Sequence, residues 1–579
     1  MITRIGGEMY AWTDHDPARG PQVAAGGALR HVLTDLAAPG HAVLVAGPHD
    51  DALVENLIGR GATVTCLTRS ILDAERLSDR FPAATILCGS VAKLDGTTRY
   101  DLVIAADGLD RLGSTEGEQA ATGEVLRILA AVVGDGGALA LMTDNPLGVH
   151  RLVELNPAGH YEDAAWYPTS EAPASLDQAR GQLSLHGLPH AEVYAVYPSP
   201  GTATVLIGSG LLGDTGSSLR GAMGAVLSRA FTQAYREVPV LGDPRRLAAR
   251  ALRAGAEGSL APGWLTVARR GPALTRYAMI VSDGYTYELS PVGVRTVQRA
   301  ARVERHGMRR VTDPGPDVDL SGLIFEERLL ALCARVDVAG LRAELTRLVD
   351  WFDGRAGDRT ITGPDALATA ETLLDDGYHL RPAPPAWEPV APVPVDVAVA
   401  RALWRFAVRL VTGGHPHPWQ LTSSAIDLVS ILAATVGRPL GQDDLRAAVD
   451  LQVALDATDA DLGPAEQRAR RADLLSVQPG RPTLDVAGYR ELEEALWRQR
   501  YQVSHLLAAQ EWTEHIIGSR DNALSRMDWE IQLFRASLMG KVLLLGRALY
   551  RSLRRDGRKA LRLARNAATR GQEAPGNTI

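Results

Sequence analysis

The feature that most constrains the fold is a regular alternation of short apolar runs with helix-like stretches over residues 1–212. The runs are HAVLVAG at 41–47, ATVTCL at 62–67, ATILCG at 84–89, YDLVIA at 100–105 and the end of VLRILAAVVGDGGALALMTD at 125–144. Buried strands that alternate with helices form a doubly wound parallel sheet. We therefore predict an α/β fold for this region.

A sheet of this kind binds its ligands outside the carboxyl ends of its strands. The first four runs end near Gly47, Thr68, Ser90 and Asp107. These positions form the predicted binding edge.

After the fifth run the pattern changes to two strands, LPHAEVYAVYPSPGTATVLIG at 188–208, joined by a Pro-Ser-Pro-Gly turn. Together with YDLVIAADGLDRL at 100–112 and DNPLGVHRLVEL…GHYED at 144–163, this hairpin resembles class I S-adenosylmethionine-dependent methyltransferases of surface-polysaccharide clusters. The resemblance implies a methyltransferase-like sheet capped by the hairpin, S-adenosylmethionine as cofactor, and a glycan or lipid-linked sugar as acceptor.

The resemblance also implies which residues hold the cofactor. They are Gly47, His49, Asp51, Thr68, Ser90 and Asp107. This chain departs from the family pattern, because Val45, Thr68 and Ser90 stand where the first three strands usually carry an acidic residue. A lost charged hydrogen bond costs ~1–3 kcal/mol, so these departures weaken the expected binding.

The GHYED segment supplies the candidates for a general base, His160 and Asp163. The alternative is that this segment is a surface loop without a catalytic role. His415 and His417 in GGHPHPW have the spacing of a proline-pinned loop, and we predict no metal site.

The middle of the chain is predicted to be a separate domain at 246–455, reached through a linker at 213–245. WLTVARRG at 264–271 and RYAMIVSDGYTYELS at 276–290 are predicted strands, VGVRTVQRAARVERHG a basic helix, and the rest mostly helical. This order resembles the small-molecule kinase fold, in the arrangement of the bifunctional methyltransferase–kinase family that terminates O-antigen chains. No lysine occurs between Lys93 and Lys541, so the resemblance implies a degenerate kinase-like α+β domain.

Two helical segments are predicted for the C-terminal tail. Residues 463–538 contain a weak coiled-coil seam over 485–518, which predicts a homo-oligomer or, alternatively, a helix packed onto the body. Residues 539–570 form a basic amphipathic helix, in which an apolar stripe over 541–565 faces away from arginines. Such a helix is suited to an anionic membrane surface, with a solvated helix or a partner dock as alternatives.

The charge distribution supports this division between body and tail. The chain carries −7 overall, but residues 541–579 hold ten basic residues against two acidic ones. The acidic body excludes bulk nucleic-acid binding. Three scattered cysteines and an N-terminus without a secretory signal pattern predict a cytoplasmic protein. The basic amphipathic helix predicts its peripheral association with the inner membrane.

These patterns support two hypotheses. The first is a methyltransferase that acts on a cell-surface glycan or its lipid-linked precursor at the inner face of the membrane. The second is a catalytically inactive scaffold that recruits glycan-assembly enzymes to the membrane.

Overall fold

The structure is a computed structural model. It describes residues 2–10, 12–15, 22–114, 120–154, 173–236, 238, 240–272, 277–290, 293–299, 301–312, 322–420, 422–478 and 486–569. The chain separates into two compact units, residues 1–504 and 505–579.

Within the described residues, twelve strands of the first unit form one sheet. They are β1 (Ile2–Gly6), β2 (Ala42–Ala46), β3 (Thr63–Thr68), β4 (Thr85–Gly89), β5 (Tyr100–Ala105), β6 (Val133–Asp144), β7 (His190–Tyr197), β8 (Val205–Gly208), β9 (Gly263–Arg269), β10 (Met279–Ser282), β11 (Thr286–Ser290) and β12 (Gly293–Gln298). Their order is β1-β4-β3-β2-β5-β6-β9-β7-β8-β10-β11-β12. The pairs from β1 to β6 are parallel, and those from β6 to β12 are antiparallel.

Helices cover both faces of the parallel half, which confirms the predicted doubly wound parallel α/β sheet. One face carries α1 (Gly27–Leu36), α2 (Asp51–Gly59) and α3 (Ile71–Arg80), and the other carries α4 (Thr122–Ala131). Successive residues of a strand point to opposite faces. Accordingly, Val43 and Val45 enter the core beneath α1 to α3, whereas Leu44 and Ala46 enter the core beneath α4.

The strand that extends this parallel half is not the one that the sequence predicts. We expected the 188–208 hairpin to cap the sheet, but β9 pairs antiparallel with β6 along its whole length, from Ala138–Arg269 to Asp144–Gly263. The hairpin, β7 and β8, lies beyond β9. Trp264 of β9 is wholly buried and donates its Nε1–H to Gly258 O at 2.8 Å, which fixes this strand in the interior.

The structure therefore differs from the predicted boundaries at 212 and 246, because strands from both sides of them share one sheet. The predicted linker at 213–245 contains α7 (Arg220–Ala234), which is buried along most of its length. A side chain at Gly221 would lie 1.9 Å from the carbonyl oxygen of Gly322, so this helix packs too closely to act as a tether. The predicted basic helix after 290 begins instead as strand β12.

The remaining helices that lie along this part of the first unit are short. They are α5 (Val149–Val153), α6 (Leu176–Gln182), α8 (Pro244–Ala254) and α9 (Glu257–Leu260).

After residue 300 the strands are short and the core is helical. The strands are β13 (Glu304–Arg305), β14 (Met308–Arg310), β15 (Leu323–Ile324), β16 (Thr360–Ile361), β17 (Leu373–Asp375), β18 (Leu380–Pro382), β19 (Trp387–Pro389) and β20 (Val393–Pro394). The helices are α10 (Phe325–Ala334), α11 (Val338–Asp353), α12 (Val395–Thr412), α13 (Ala425–Thr435), α14 (Gln442–Ala460) and α15 (Pro464–Leu475). Their apolar faces form a second core around the wholly buried Phe352 and Leu403. The kinase-like character of this region stays a prediction.

The predicted helical tail is confirmed. It consists of α16 (Val486–Ala536) and α17 (Leu538–Thr569). Among the described helices, none combines the length and the apolar character that crossing a bilayer requires.

Candidate functional site

The four predicted binding positions lie together at one edge of the sheet. Gly47, Thr68, Ser90 and Asp107 stand at the ends of β2, β3, β4 and β5, which are neighbours in the order β4-β3-β2-β5. Gly47 has a φ of +87°, a conformation that favours glycine and turns the chain sharply into the next helix. The structure therefore brings the four positions to one edge, and their role in binding stays a prediction.

His49 closes the gap between the ends of β2 and β5. Its ring is buried, with Nδ1 at 3.0 Å from the carbonyl oxygen of Gly47 and Nε2 at 3.1 Å from the amide nitrogen of Ala106. Since Nε2 accepts the Ala106 N–H, Nδ1 carries the proton and donates it to Gly47. Burial lowers the pKa of His49 to about 4, because the charged imidazolium loses its hydration there. Both ring nitrogens of the neutral histidine are thus hydrogen-bonded to backbone groups of the binding edge.

This arrangement predicts an acid-sensitive fold. The folded-state pKa lies below the ordinary value of 6.5, so the stability from His49 is complete above pH ~6.5 and is lost as the pH falls towards ~4. Between pH 7 and about pH 5, we expect a loss of about 2 kcal/mol from this residue. Urea unfolding of the wild type and of His49→Gln measures it. The variant should show a smaller change with pH, and an identical change in both proteins would disprove the assignment.

Asp107, two residues after the end of β5, is hydrogen-bonded within the protein. Both its oxygens accept from Arg111 at 2.6 Å, and one also accepts the N–H of Ala24 at 2.8 Å. Burial raises the pKa of Asp107 to about 6, and the Arg111 guanidinium opposes that rise. Arg111 also donates to the carbonyl oxygens of Asp14 and Gln22. The side chain of Asp107 is thus tied to the beginning of the chain.

A second buried ion pair stands after β3. Arg69 donates from Nε and Nη2 to both carboxylate oxygens of Asp14, at 2.9 and 2.6 Å. The exposed fractions of the two side chains are 3% and 1%. Trp12 donates its Nε1–H to Asp14 and lies against the Arg69 guanidinium. A ribose-binding acid is expected at Thr68. The next residue, Arg69, is instead buried, and its charge is neutralised by Asp14.

These contacts belong to one covering segment, which we call the N-terminal cover and define as residues 8–10, 12–15 and 22–25. Met9 exchanges backbone hydrogen bonds with Arg69 and Ile71, and the Ser70 hydroxyl donates to the Trp12 carbonyl. The amide of Asp14 and the hydroxyl of Thr13 both donate to Asp73. The cover therefore lies over the carboxyl ends of β3 and β5 and is bonded to both.

The other predicted cofactor residues have structural partners. The carboxylate of Asp51 lies 2.7 Å from Arg76 and 3.1 Å from Arg80. Thr68 is buried and its hydroxyl accepts the N–H of Ser70, whereas the Ser90 hydroxyl accepts the N–H of Ala92 and caps a short helical turn. Each of these side chains can be explained without a ligand.

The predicted cofactor residues offer S-adenosylmethionine no free carboxylate in this arrangement. Ribose hydroxyls need free acceptors at the strand ends, but Asp14, Asp51 and Asp107 are all paired with arginines. The carbonyl of Gly47 is also already bound, by His49. We therefore derive no chemical step through the cofactor.

The candidate bases His160 and Asp163 lie outside the described residues. His415 is buried, and burial together with the nearby Arg409, Arg246 and Arg245 lowers its pKa to about 3. These positive charges disfavour a metal cation there.

Sequence reasoning missed Asp14, Arg69 and Arg111. The signal for them is weak, because Asp14 precedes Arg69 by 55 residues and Arg111 by 97 residues. Only the ending Thr68-Arg69, where the family's second strand should end in an acid, marked this place as unusual.

Comparison with known proteins places the similarity in the fold. Neither a protein-family model nor a curated protein matches the chain. Among solved structures, a TehB-like SAM-dependent methyltransferase from Corynebacterium glutamicum is 19% identical over 20% of this chain and 61% of that chain, with a TM-score of 0.17. A putative sarcosine dimethylglycine methyltransferase from Galdieria sulphuraria is 12% identical over 43% of this chain and 84% of that one, with a TM-score of 0.24.

A third neighbour is a structure with a bound cofactor product. It is the Burkholderia thailandensis 1,6-didemethyltoxoflavin-N1-methyltransferase with S-adenosylhomocysteine, 19% identical over 20% of this chain and 50% of that chain, with a TM-score of 0.17. These three neighbours are methyltransferases.

Proposed function

We propose that this chain is a scaffold of cell-surface glycan assembly, built on a methyltransferase-like fold and not acting as an enzyme. The observation that carries the proposal is the N-terminal cover, which is tied over the strand ends by the buried Asp14–Arg69 and Asp107–Arg111 pairs. A fold alone does not define an activity, because activity depends on the site.

The free energy needed to displace the N-terminal cover supports this proposal. On this proposal, a cofactor reaches the strand ends only after Asp14 and Ala24 have left Arg69 and Asp107. Breaking a buried ion pair costs ~3–5 kcal/mol, and each 1.4 kcal/mol is a factor of about ten in affinity. Displacing the cover would therefore weaken cofactor binding by several orders of magnitude.

Calorimetric titration with S-adenosylmethionine tests the proposal. We expect no binding by the full-length protein at millimolar cofactor. Micromolar binding that Gly47→Glu abolishes would contradict the scaffold. Gly59→Glu is the matched control, because it adds the same charge where no atom lies within 4 Å of a new Cβ.

One observation favours the second candidate, a methyltransferase that acts on a cell-surface glycan or its lipid-linked precursor at the inner face of the membrane. The turn at Gly47 keeps its positive φ, and a Cβ there would meet only the flexible end of Leu112, at 3.0 Å. If the chain is a methyltransferase, the binding edge beneath the N-terminal cover is its resting form. The same calorimetric titration decides between the two candidates.

The tail supports a membrane-recruited role. In α17 the apolar stripe is exposed, with exposed fractions of 66% for Val542, 64% for Leu545 and 65% for Leu553. Arginines occupy the other side of this helix, and each basic residue near an anionic surface contributes about 1 kcal/mol. We propose that residues 541–565 lie on an anionic membrane.

Vesicle co-sedimentation tests this part of the proposal. We expect the full-length chain to sediment with vesicles that contain anionic lipid, and a 1–535 chain, which lacks α17, to remain in solution. Zwitterionic vesicles and the triple change of Arg551, Arg554 and Arg555 to Gln are the controls, and both should reduce sedimentation. Equal sedimentation of the full-length and shortened chains would rule out the assignment.

The seam over 485–518 is proposed as a contact between copies of this chain. Leu496, Val503, Leu506 and Ile517 on α16 are all about half exposed or more. Light scattering should give a mass above one chain for the wild type and a lower mass for Leu506→Glu. The same mass for both proteins would contradict this contact.

A further inference from the structure

A cavity of about 1380 Å³ opens in the first unit, and its lining is unusually rich in charged side chains. Its walls come from α7, α12, α14 and the segments 302–312 and 364–388. Among the described residues, eleven arginines and six carboxylates line it. The cavity shares no residue with the N-terminal cover or the strand ends, so a ligand bound in it would not depend on the proposed function.

Three of these arginines form a row on α12. Arg401, Arg405 and Arg409 are four residues apart, so they lie on one face of the helix and about 6 Å apart along its axis. Arg401 and Arg409 are 3% exposed. A helix that presents a row of arginines to a cavity supplies several guanidinium forks at one place.

Most of the eleven arginines are paired with a carboxylate. The paired ones are Arg229, Arg236, Arg245, Arg309, Arg381, Arg405, Arg409 and Arg470. Within the described part of the chain, no carboxylate lies at ion-pair distance from Arg302, Arg310 or Arg401. The lining therefore holds more arginines than are paired with carboxylates of the protein.

Arg401 shows this excess most clearly because it is buried. Its Nε donates to the side-chain oxygen of Gln452 at 3.0 Å and its Nη1 to the carbonyl oxygen of Leu367 at 2.7 Å, both of them neutral acceptors. Burial and the neighbouring Arg405 lower the pKa of Arg401 to about 10, so the guanidinium remains charged at neutral pH. Glu371 and Asp456 favour its charged form, but neither lies at ion-pair distance. A buried charge without a paired counter-charge is costly unless a ligand supplies one.

Arg310 holds a second unpaired charge in a fixed position. Its guanidinium carbon lies 4.1 Å from the centre of the Trp387 ring, and its Nε is buried without a hydrogen-bond partner among the described residues. A Cβ at Gly284 would lie 1.3 Å from Nη1 of Arg310, so the glycine allows the guanidinium to cross the backbone there. The fork is held by packing and not by an acid.

We propose that this cavity binds a small molecule that carries two or more phosphate groups. A guanidinium binds phosphate through two parallel hydrogen bonds, and phosphate oxygens point in several directions, so one group can bridge forks from different walls. Pockets that bind small molecules measure ~300–1,000 Å³, so the cavity has room for more than a single phosphate ion. Trp387, Pro384 and Val311 add apolar surface for the rest of the ligand.

Calorimetric titration of the full-length protein tests the proposal with inorganic pyrophosphate, uridine diphosphate and citrate as probes. We expect the wild type to bind pyrophosphate with a dissociation constant on the order of 10 μM, and more weakly as salt is added. Tighter binding of uridine diphosphate would indicate a nucleotide, and equal binding would indicate recognition of the phosphates alone; both support the proposal. Citrate bound as tightly as pyrophosphate would overturn it, because the site would then not be selective for phosphate.

Matched variants locate the site. Arg310→Gln and Arg401→Gln remove a charge without leaving a carboxylate unpaired, and each should weaken binding by at least about tenfold. Arg269→Gln is the control, since Arg269 is also half-buried with an unpartnered Nε but lies on β9, outside the cavity. If Arg401→Gln does not fold, Arg310→Gln still decides. Absence of pyrophosphate binding at millimolar concentration, or unchanged binding by Arg310→Gln, would overturn the assignment.

Discussion

Replacing Asp14 with alanine should lower the free energy of unfolding of the first unit by about 3–5 kcal/mol. The change leaves the guanidinium of Arg69 buried and without its counter-charge, since both side chains are almost fully covered. It also removes the acceptor of the Trp12 indole N–H. Urea unfolding at neutral pH, followed by tryptophan fluorescence, measures the loss.

The matched control for this change is Asp135→Ala. Asp135 also pairs with an arginine, Arg270, but its side chain is fully exposed. Exposed ion pairs contribute little, so the control should unfold like the wild type. Equal stability of Asp14→Ala and the control would mean that the N-terminal cover is not bound as described.

The second large effect is expected from Trp264→Ala. Trp264 fills the core between the sheet and the helices beside it, and truncation of a buried tryptophan costs about 3–5 kcal/mol. Because β9 joins β6 to β7, the loss should appear in the main unfolding transition of the first unit. Differential scanning calorimetry measures it.

Trp529→Ala is the control for the tryptophan change, because Trp529 is 65% exposed and lies on α16. We expect little effect from it. If Trp264→Ala changed only a separate, later transition, then β9 would belong to an independent domain, as the sequence analysis supposed.

The strands β2 to β6 could be predicted because each is a continuous apolar run between turn residues. The partner of β6 could not, because β9 follows β6 by about 120 residues and any apolar run could have filled that edge. The helix predicted after 290 was wrong for a local reason. In GVRTVQ the β-branched Val294, Thr296 and Val297 favour a strand, and this preference outweighed the charge pattern of the following residues.

The candidate site, like the fold, was predictable from the sequence only in part. The positions of Gly47, Thr68, Ser90 and Asp107 follow from the strand ends, and the structure brings them together. The cover depends on pairs far apart in sequence, which one chain's pattern does not reveal. The arginine row on α12 was visible in RALWRFAVRL at 401–410, where charges recur every four residues within an apolar helix, but it was not recognised.

Hydrogen exchange of three amides of the N-terminal cover tests the central claim most directly. The N–H groups of Met9, Asp14 and Ala24 donate to Arg69, Asp73 and Asp107, each at 2.8 Å. We predict that all three are protected from exchange and that millimolar S-adenosylmethionine leaves their protection unchanged. Exchange as fast as in an unstructured peptide, or a loss of protection when S-adenosylmethionine is added, would contradict a permanently covered binding edge.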